Sequence, residues 1–188
     1  IFLIVVFLFL SCPAWSATYY VCSSGCNDEN DGTSTGQCVA SITRAHALAG
    51  SNDTVNFCPA GTWTGTLILT AEAGVTYIGD DSSTWGSGTR AKLQATGTTA
   101  QVALISVSTV TFKGFEIDMN SQDAGGLYIK STDAGGNISN ITVDNCEIHG
   151  SAAANWAYGL YVGGWGTSYS RDVSNVTIKN TSVNDTQH

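Results

Sequence analysis

Tyr128 and Lys130 sit in a short alternating segment, Gly-Leu-Tyr-Ile-Lys from residue 126. The segment returns 33 residues later as Gly-Leu-Tyr-Val-Gly, with Tyr161 at the matching place. If Leu127 and Ile129 point into a core, Tyr128, Lys130 and Tyr161 point out, and the two tyrosines lie one above the other. The flanking segments add Trp156, Tyr158, Trp165, Tyr169 and Arg171. Exposed aromatic faces stack on sugar rings, and a lysine or arginine holds a carboxylate. Tyr128, Tyr161, Trp156 and Trp165 are thus the candidate substrate-binding residues, and Lys130 and Arg171 the candidate catalytic cations. The plainer expectation is that these aromatics pack their own loops onto the body of the protein.

Other residue groups suggest chemistry less strongly. Glu116 pairs with Glu147, and Asp118 with His149, at equivalent places in two successive copies of a second motif. Neighbouring carboxylates and an imidazole share protons or bind cations, although an outward strand face is polar in any case. The loop Asn-Asp-Glu-Asn-Asp-Gly at 27–32 offers Asp28 and Asp31 as oxygen ligands for calcium, without the full spacing of an EF-hand. Turn-forming Asn, Asp and Gly would look the same. His46, His149 and His188 have no metal-ligand spacing, and there is no serine or cysteine nucleophile constellation.

A repeat positions these groups. Residues 110–118 (Val-Thr-Phe-Lys-Gly-Phe-Glu-Ile-Asp), 141–149 (Ile-Thr-Val-Asp-Asn-Cys-Glu-Ile-His) and 176–184 (Val-Thr-Ile-Lys-Asn-Thr-Ser-Val-Asn) align without gaps at spacings of 31 and 35. Two motifs recurring in the same order mark a solenoid. Within the longer motif, apolar residues alternate as in a half-buried strand, slip by one at Gly114, Asn145 and Asn180, and resume. Glycine and asparagine tolerate left-handed backbone angles, so each slip reads as a sharp bend between strands. One turn is then three short strands, with Ile, Val and Phe stacked inside, Thr outside and an Asn ladder at the bend. Residues 40–50 form the one helical stretch, with Ile42, Ala45, Leu48 and Ala49 on one face, and would cap the N-terminal end of the coil. The expected fold is all-β: a right-handed parallel β-helix, three strands per turn, with a short N-terminal capping helix.

Residues 1–10 are unbroken apolar and lead to Ser11-Cys12-Pro13-Ala14-Trp15-Ser16. That reads as a signal peptide over 1–16, with cleavage after Ser16 or, second, Ala17, because the run is too short to span a bilayer. A lipidated Cys12 is the rival reading, on a poor lipobox. Residues 17–53 would hold a first strand, the acidic loop and the helix, and 54–188 the coil, which stops in mid-repeat and so reads as an N-terminal fragment. A net charge of −8 and few charged residues argue against nucleic acid, whose phosphates demand basic clusters. Many glycines and only two prolines suit short strands joined by tight turns. Cys22, Cys26, Cys38 and Cys58 allow three pairings, of which Cys26–Cys38 and Cys22–Cys58 are favoured, leaving Cys146 as a small core residue. An exported, extracellular or cell-surface monomer is expected, with no membrane contact once the leader is gone.

The segment Tyr-Tyr-Val-Cys-Ser-Ser-Gly-Cys-Asn-Asp-Glu-Asn-Asp-Gly-Thr-Ser at 19–34, followed by Asp-Thr-Val-Asn-Phe-Cys-Pro-Ala-Gly-Thr at 53–62, resembles the opening of secreted β-helix proteins of the pectate-lyase-like superfamily. The added Cys22 and Cys26 depart from that pattern. The resemblance implies a polysaccharide partner and a groove on the Gly-Leu-Tyr strands. It also implies a lyase acting on a uronic-acid polymer such as pectate or alginate, with calcium as a possible cofactor. A glycoside hydrolase is less favoured: Asp80-Asp81 after Gly79 resembles one element of the polygalacturonase signature, and the other elements are absent. The alternative is a non-catalytic surface or adhesin-type solenoid that binds glycans or acts as a spacer.

Overall fold

The computed structural model describes residues 15–65, 68–86, 88, 90–97, 101–122, 124–131, 136–151, 158–164 and 172–184. In chain order these form β1 (Thr18–Val21), a 3-10 turn (Thr35–Gln37), α1 (Ile42–Leu48), β2 (Thr54–Phe57), β3 (Thr62–Gly65), β4 (Leu69–Thr70) and β5 (Thr76–Ile78). There follow α2 (Ser82–Trp85), β6 (Ala91–Ala95), β7 (Ala103–Ile105), β8 (Val110–Lys113), β9 (Phe115–Gln122) and β10 (Leu127–Ser131). The last are β11 (Ile138–Asp144), β12 (Glu147–Ser151), β13 (Leu160–Gly164), β14 (Val173–Lys179) and β15 (Ser182–Val183).

The strands form three sheets: a first in the order β1-β2-β5-β8-β11-β14, a second in the order β3-β6-β9-β12-β15, and a third in the order β4-β7-β10-β13. Every pairing is parallel, and from β2 onward the chain passes from first to second to third sheet and back, about four turns of a parallel β-solenoid. The register is the one the repeat implies. Val110 faces Ile141 and Ile141 faces Val176, while Leu127 faces Leu160. A threonine column, Thr54, Thr76, Thr111, Thr142 and Thr177, runs across the first sheet.

The slips in the alternation are bends. Gly114, Asn145 and Asn180 have φ of 75°, 52° and 51°. At Gly114 a side chain is barred on a second count: a Cβ would collide with the Asp80 side chain. The bend residues do not form a simple Asn–Asn ladder, however. Asn145 Nδ2 donates to Asp80 Oδ2 (2.7 Å) and Asn180 Nδ2 donates to Asp144 Oδ1 (2.9 Å), so each amide is taken by a carboxylate. The Asn–Asn pair falls elsewhere, where Asn175 donates to Asn140 across β14 and β11, both with positive φ.

Inside the coil, Phe112, Phe115, Ile117, Val143 and Ile148 are fully buried, and Phe112 and Phe115 stack across the bend with centroids 4.2 Å apart. Truncating such a phenylalanine to alanine costs about 3–5 kcal/mol. The cap is shorter than expected. Ser41 Oγ accepts from the Arg44 N–H (3.1 Å) and starts α1, but Ala49 is already extended, so the helix ends there. Its Ile42 and Ala45 are buried on the core side. The disulfides Cys22–Cys58 and Cys26–Cys38 tie this end together, and Cys146 is free and buried. The short helix α2 was not anticipated. Trp85 Nε1 donates to Asn56 Oδ1 (2.9 Å), and its ring meets Tyr20 edge-on, so the insertion at 79–90 folds over the outer side of the first sheet.

Candidate functional site

The third sheet builds an outward column from register alone. Leu104 on β7, Tyr128 on β10 and Tyr161 on β13 are successive partners. The rings of Tyr128 and Tyr161 lie 5.2 Å apart, tilted by 36°, and Tyr158 approaches Tyr161 at 5.9 Å. Tyr161 Oη donates to the Gly164 carbonyl (3.2 Å). That path runs over Gly163, where a Cβ would stand 2.9 Å from Tyr161 Oη, so a side chain there would displace the phenol. Gly163 is also the register partner of Lys130, so the Tyr161 phenol lies over the strand position next to the lysine.

The column differs from expectation in one respect. Tyr128 is buried (7% exposed), because its outward ring is covered from within the column. Tyr158 (44% exposed) and the half-buried Tyr161 are the rings that meet solvent. Burial raises the Tyr128 phenol above its ordinary range. Lys130 Nζ stands 5.4 Å from the Tyr128 ring centroid and donates to Gln101 Oε1 (3.4 Å). Burial holds its ammonium below the usual lysine pKa. The structure therefore brings Tyr128, Tyr161 and Lys130 together. Trp156, Trp165, Tyr169 and Arg171 lie outside the described residues.

The second sheet carries a denser polar group than the repeat showed. Glu147 faces Glu116 and His149 faces Asp118, as aligned, but β6 adds Lys92 opposite Glu116 and Gln94 opposite Asp118. Lys92 Nζ meets Glu116 Oε1 at 2.6 Å and Asp118 Oδ2 at 3.6 Å. His149 Nε2 is 3.1 Å from Glu116 Oε1, and its Nδ1 is 3.9 Å from Asp118 Oδ1. Gln94 Nε2 donates to Asp118 Oδ2 (2.7 Å), and Arg90 Nη1 to Glu147 Oε2 (3.2 Å). The hydrogen bond to Glu116, before all else, raises the Lys92 pKa. The repeat missed Lys92 and Gln94 because the 79–90 insertion separates β6 from its bend. The alternation of Ala91, Leu93 and Ala95 was the available signal.

The acidic loop is engaged in local structure. Asp28 Oδ1 accepts from the Ala40 and Ser41 N–H groups (2.8 Å each), and Asp31 Oδ1 accepts from the Thr33 N–H and hydroxyl. Among the described residues no three His, Cys, Asp or Glu side chains assemble as a metal site. One oxygen of Asp28 and one of Asp31 are thus already occupied by the loop's own N–H and hydroxyl groups. Asp81 caps α2 through the Thr84 N–H and accepts from Asn56, while Asp80 holds the bend at Asn145, so this acidic pair is also structural.

No family model matches the chain, and no curated protein matches it. Among solved structures it is similar to a GH136 lacto-N-biosidase from Eubacterium ramulus, with a TM-score of 0.63 at 14% identity over 88% of this chain. The chain spans 34% of that protein's length. The likeness is one of fold: this is a parallel β-solenoid with a neighbour among carbohydrate-active β-helix proteins.

Proposed function

We propose that the chain is part of an exported, polysaccharide-active β-helix of the pectate-lyase-like kind, acting on a uronic-acid polymer such as pectate or alginate. The coil on this reading is right-handed with three strands per turn, the hand taken by nearly all parallel crossovers. Export rests on the leader-like residues 1–16, supported by two disulfides of the kind oxidising compartments allow. Among the described residues no helix is long and apolar enough to cross a membrane.

The observation that carries the reading is Lys130 beside the tyrosine column. β-Elimination needs the substrate carboxylate neutralised and a base to take the proton on C5. Tyr161 and Tyr158 offer ring faces for sugars, and a lysine whose pKa burial has lowered is closer to the neutral amine a base must be. Arg171 would hold the uronate carboxylate. The amine of Lys130 takes the C5 proton, the C4–O4 bond breaks with the electron pair leaving on O4, and the departing O4 takes a proton from water, leaving an unsaturated uronate.

The test is the full chain with pectate, alginate and chondroitin, followed by the ultraviolet absorbance of that unsaturated product. Product formation that disappears in Lys130→Gln supports the reading, and its absence on all three polymers from folded protein refutes it. The second reading, a non-catalytic glycan-binding solenoid, is favoured by the packing of Tyr128 and Tyr161 on each other. It predicts retention of these polymers without product.

A further inference from the structure

We propose that the second sheet carries a separate binding site for a neutral saccharide chain, with its end ring lodged in a pocket beside Trp63. The proposal does not rest on the third-sheet reading. The pocket opens where the capping segment meets β3 and has a volume of about 350 Å³. That is within the range of small-molecule sites, about 300–1,000 Å³. Trp63, Ile42 and Ile68 supply apolar wall, and Ser23, Thr62 and Thr64 supply hydroxyls. Among the described residues no charged side chain lines it, so an ionic ligand would meet no counter-charge from them, whereas an uncharged ring with hydroxyls has partners for both its faces and its edges. The indole is fixed in place, since Trp63 Nε1 donates to the Ala40 carbonyl (3.2 Å) and the ring meets Phe57 edge-on at 5.1 Å.

The pocket has a continuation. Thr62 and Thr64 on its rim are the register partners of Lys92 and Gln94, which face Glu116 and Asp118 on the next strand. A band two side chains wide thus leaves the pocket along the coil, in steps of about 4.8 Å. Its donors and acceptors orient one another before any ligand arrives: Lys92 on Glu116, Gln94 on Asp118. Such preorganised groups suit hydroxyls, which both donate and accept. The three carboxylates Glu116, Asp118 and Glu147 outnumber the two cations Lys92 and Arg90 that are paired with them, so an acidic polymer gains no counter-charge here and the occupant is neutral.

Isothermal titration of the full chain with neutral oligosaccharides of the cello, xylo and galacto series tests this. Thr64→Arg places a long charged side chain on the exposed rim without touching the core, and Gln94→Ala removes a donor from the band. Binding of at least one neutral series, weakened about tenfold or more by Thr64→Arg and measurably by Gln94→Ala, is the expected result. Lys179→Gln, on the first sheet, keeps the wild-type affinity. Absence of binding at millimolar concentration, equal binding by Thr64→Arg or Gln94→Ala folded as judged by thermal melts, or loss of neutral binding in Tyr161→Ala would each overturn it.

Discussion

Lys92 on the second sheet and Lys130 on the third are both outward residues of one coil, both half-buried, yet their surroundings push them in opposite directions. Lys92 lies against two carboxylates and is held more firmly protonated, chiefly by Glu116. Lys130 lies over a buried tyrosine beside a neutral amide, where burial favours the uncharged amine. Strand register decides the difference. Gly163 and Leu104 bring no charge to the third-sheet column, whereas the second sheet stacks Glu116 and Asp118 directly beside β6. The contrast teaches that two outward lysines of one coil are pushed in opposite directions when one meets carboxylates on the next turn and the other is covered by packing.

The largest effect that would break this contrast is on turnover. Lys130→Gln is expected to lower formation of unsaturated uronate by roughly a hundredfold or more, the scale of a lost general base, while Lys179→Gln leaves it unchanged. Next comes amine reactivity. Limited acetylation at mildly alkaline pH, mapped by mass spectrometry, should modify Lys130 about tenfold faster than Lys92; equal rates would remove the distinction. A binding effect is smaller still. Tyr161→Ala should weaken retention of an acidic polymer by about tenfold or less, since an aromatic contact contributes about 0.5–1.5 kcal/mol.

The smallest effect is on stability, and its sign follows from the Lys92 shift. A lysine whose folded pKa is raised adds stability below its unfolded value, and that contribution is lost as pH rises through the folded pKa. Glu116→Gln should therefore cost about 1 kcal/mol or less at neutral pH, and the difference from wild type should shrink at strongly alkaline pH and in high salt. Chemical denaturation at two pH values and two salt concentrations measures it. A mutational cost that grows with pH would contradict the pairing of Lys92 with Glu116.

Much of this architecture was legible from spacing. The left-handed bends at Gly114, Asn145 and Asn180 and the alignment of Tyr128 with Tyr161 follow from residue type and repeat position, because a parallel coil converts sequence period into spatial contact, whereas the two cystine pairs were the favoured of three possible pairings. Burial of Tyr128 was not legible: alternation tells which face a side chain takes, not what covers it. The insertion carrying α2 hid β6, and with it Lys92. Arg90, at the end of that insertion, reaches the Asn145 carbonyl and side chain and Glu147, a contact between residues 55 and 57 positions apart that no local pattern announces. Pro59 and Gly88 meet in the same way, where a Cβ on Gly88 would stand 2.6 Å from the proline ring.

Cys146 has a consequence for how the covalent framework is made. Its sulfur is buried between the Asp144 and Phe112 carbonyls, and burial pushes its thiol pKa up to about 11. Near pH 8 only about one such thiol in a thousand is the thiolate that attacks disulfides. Before the coil packs, Cys146 is an ordinary competitor for the four cysteines of the cap. After packing it is withdrawn, so in the folded coil the Cys146 sulfur is kept apart from exchange with the Cys22–Cys58 and Cys26–Cys38 bonds.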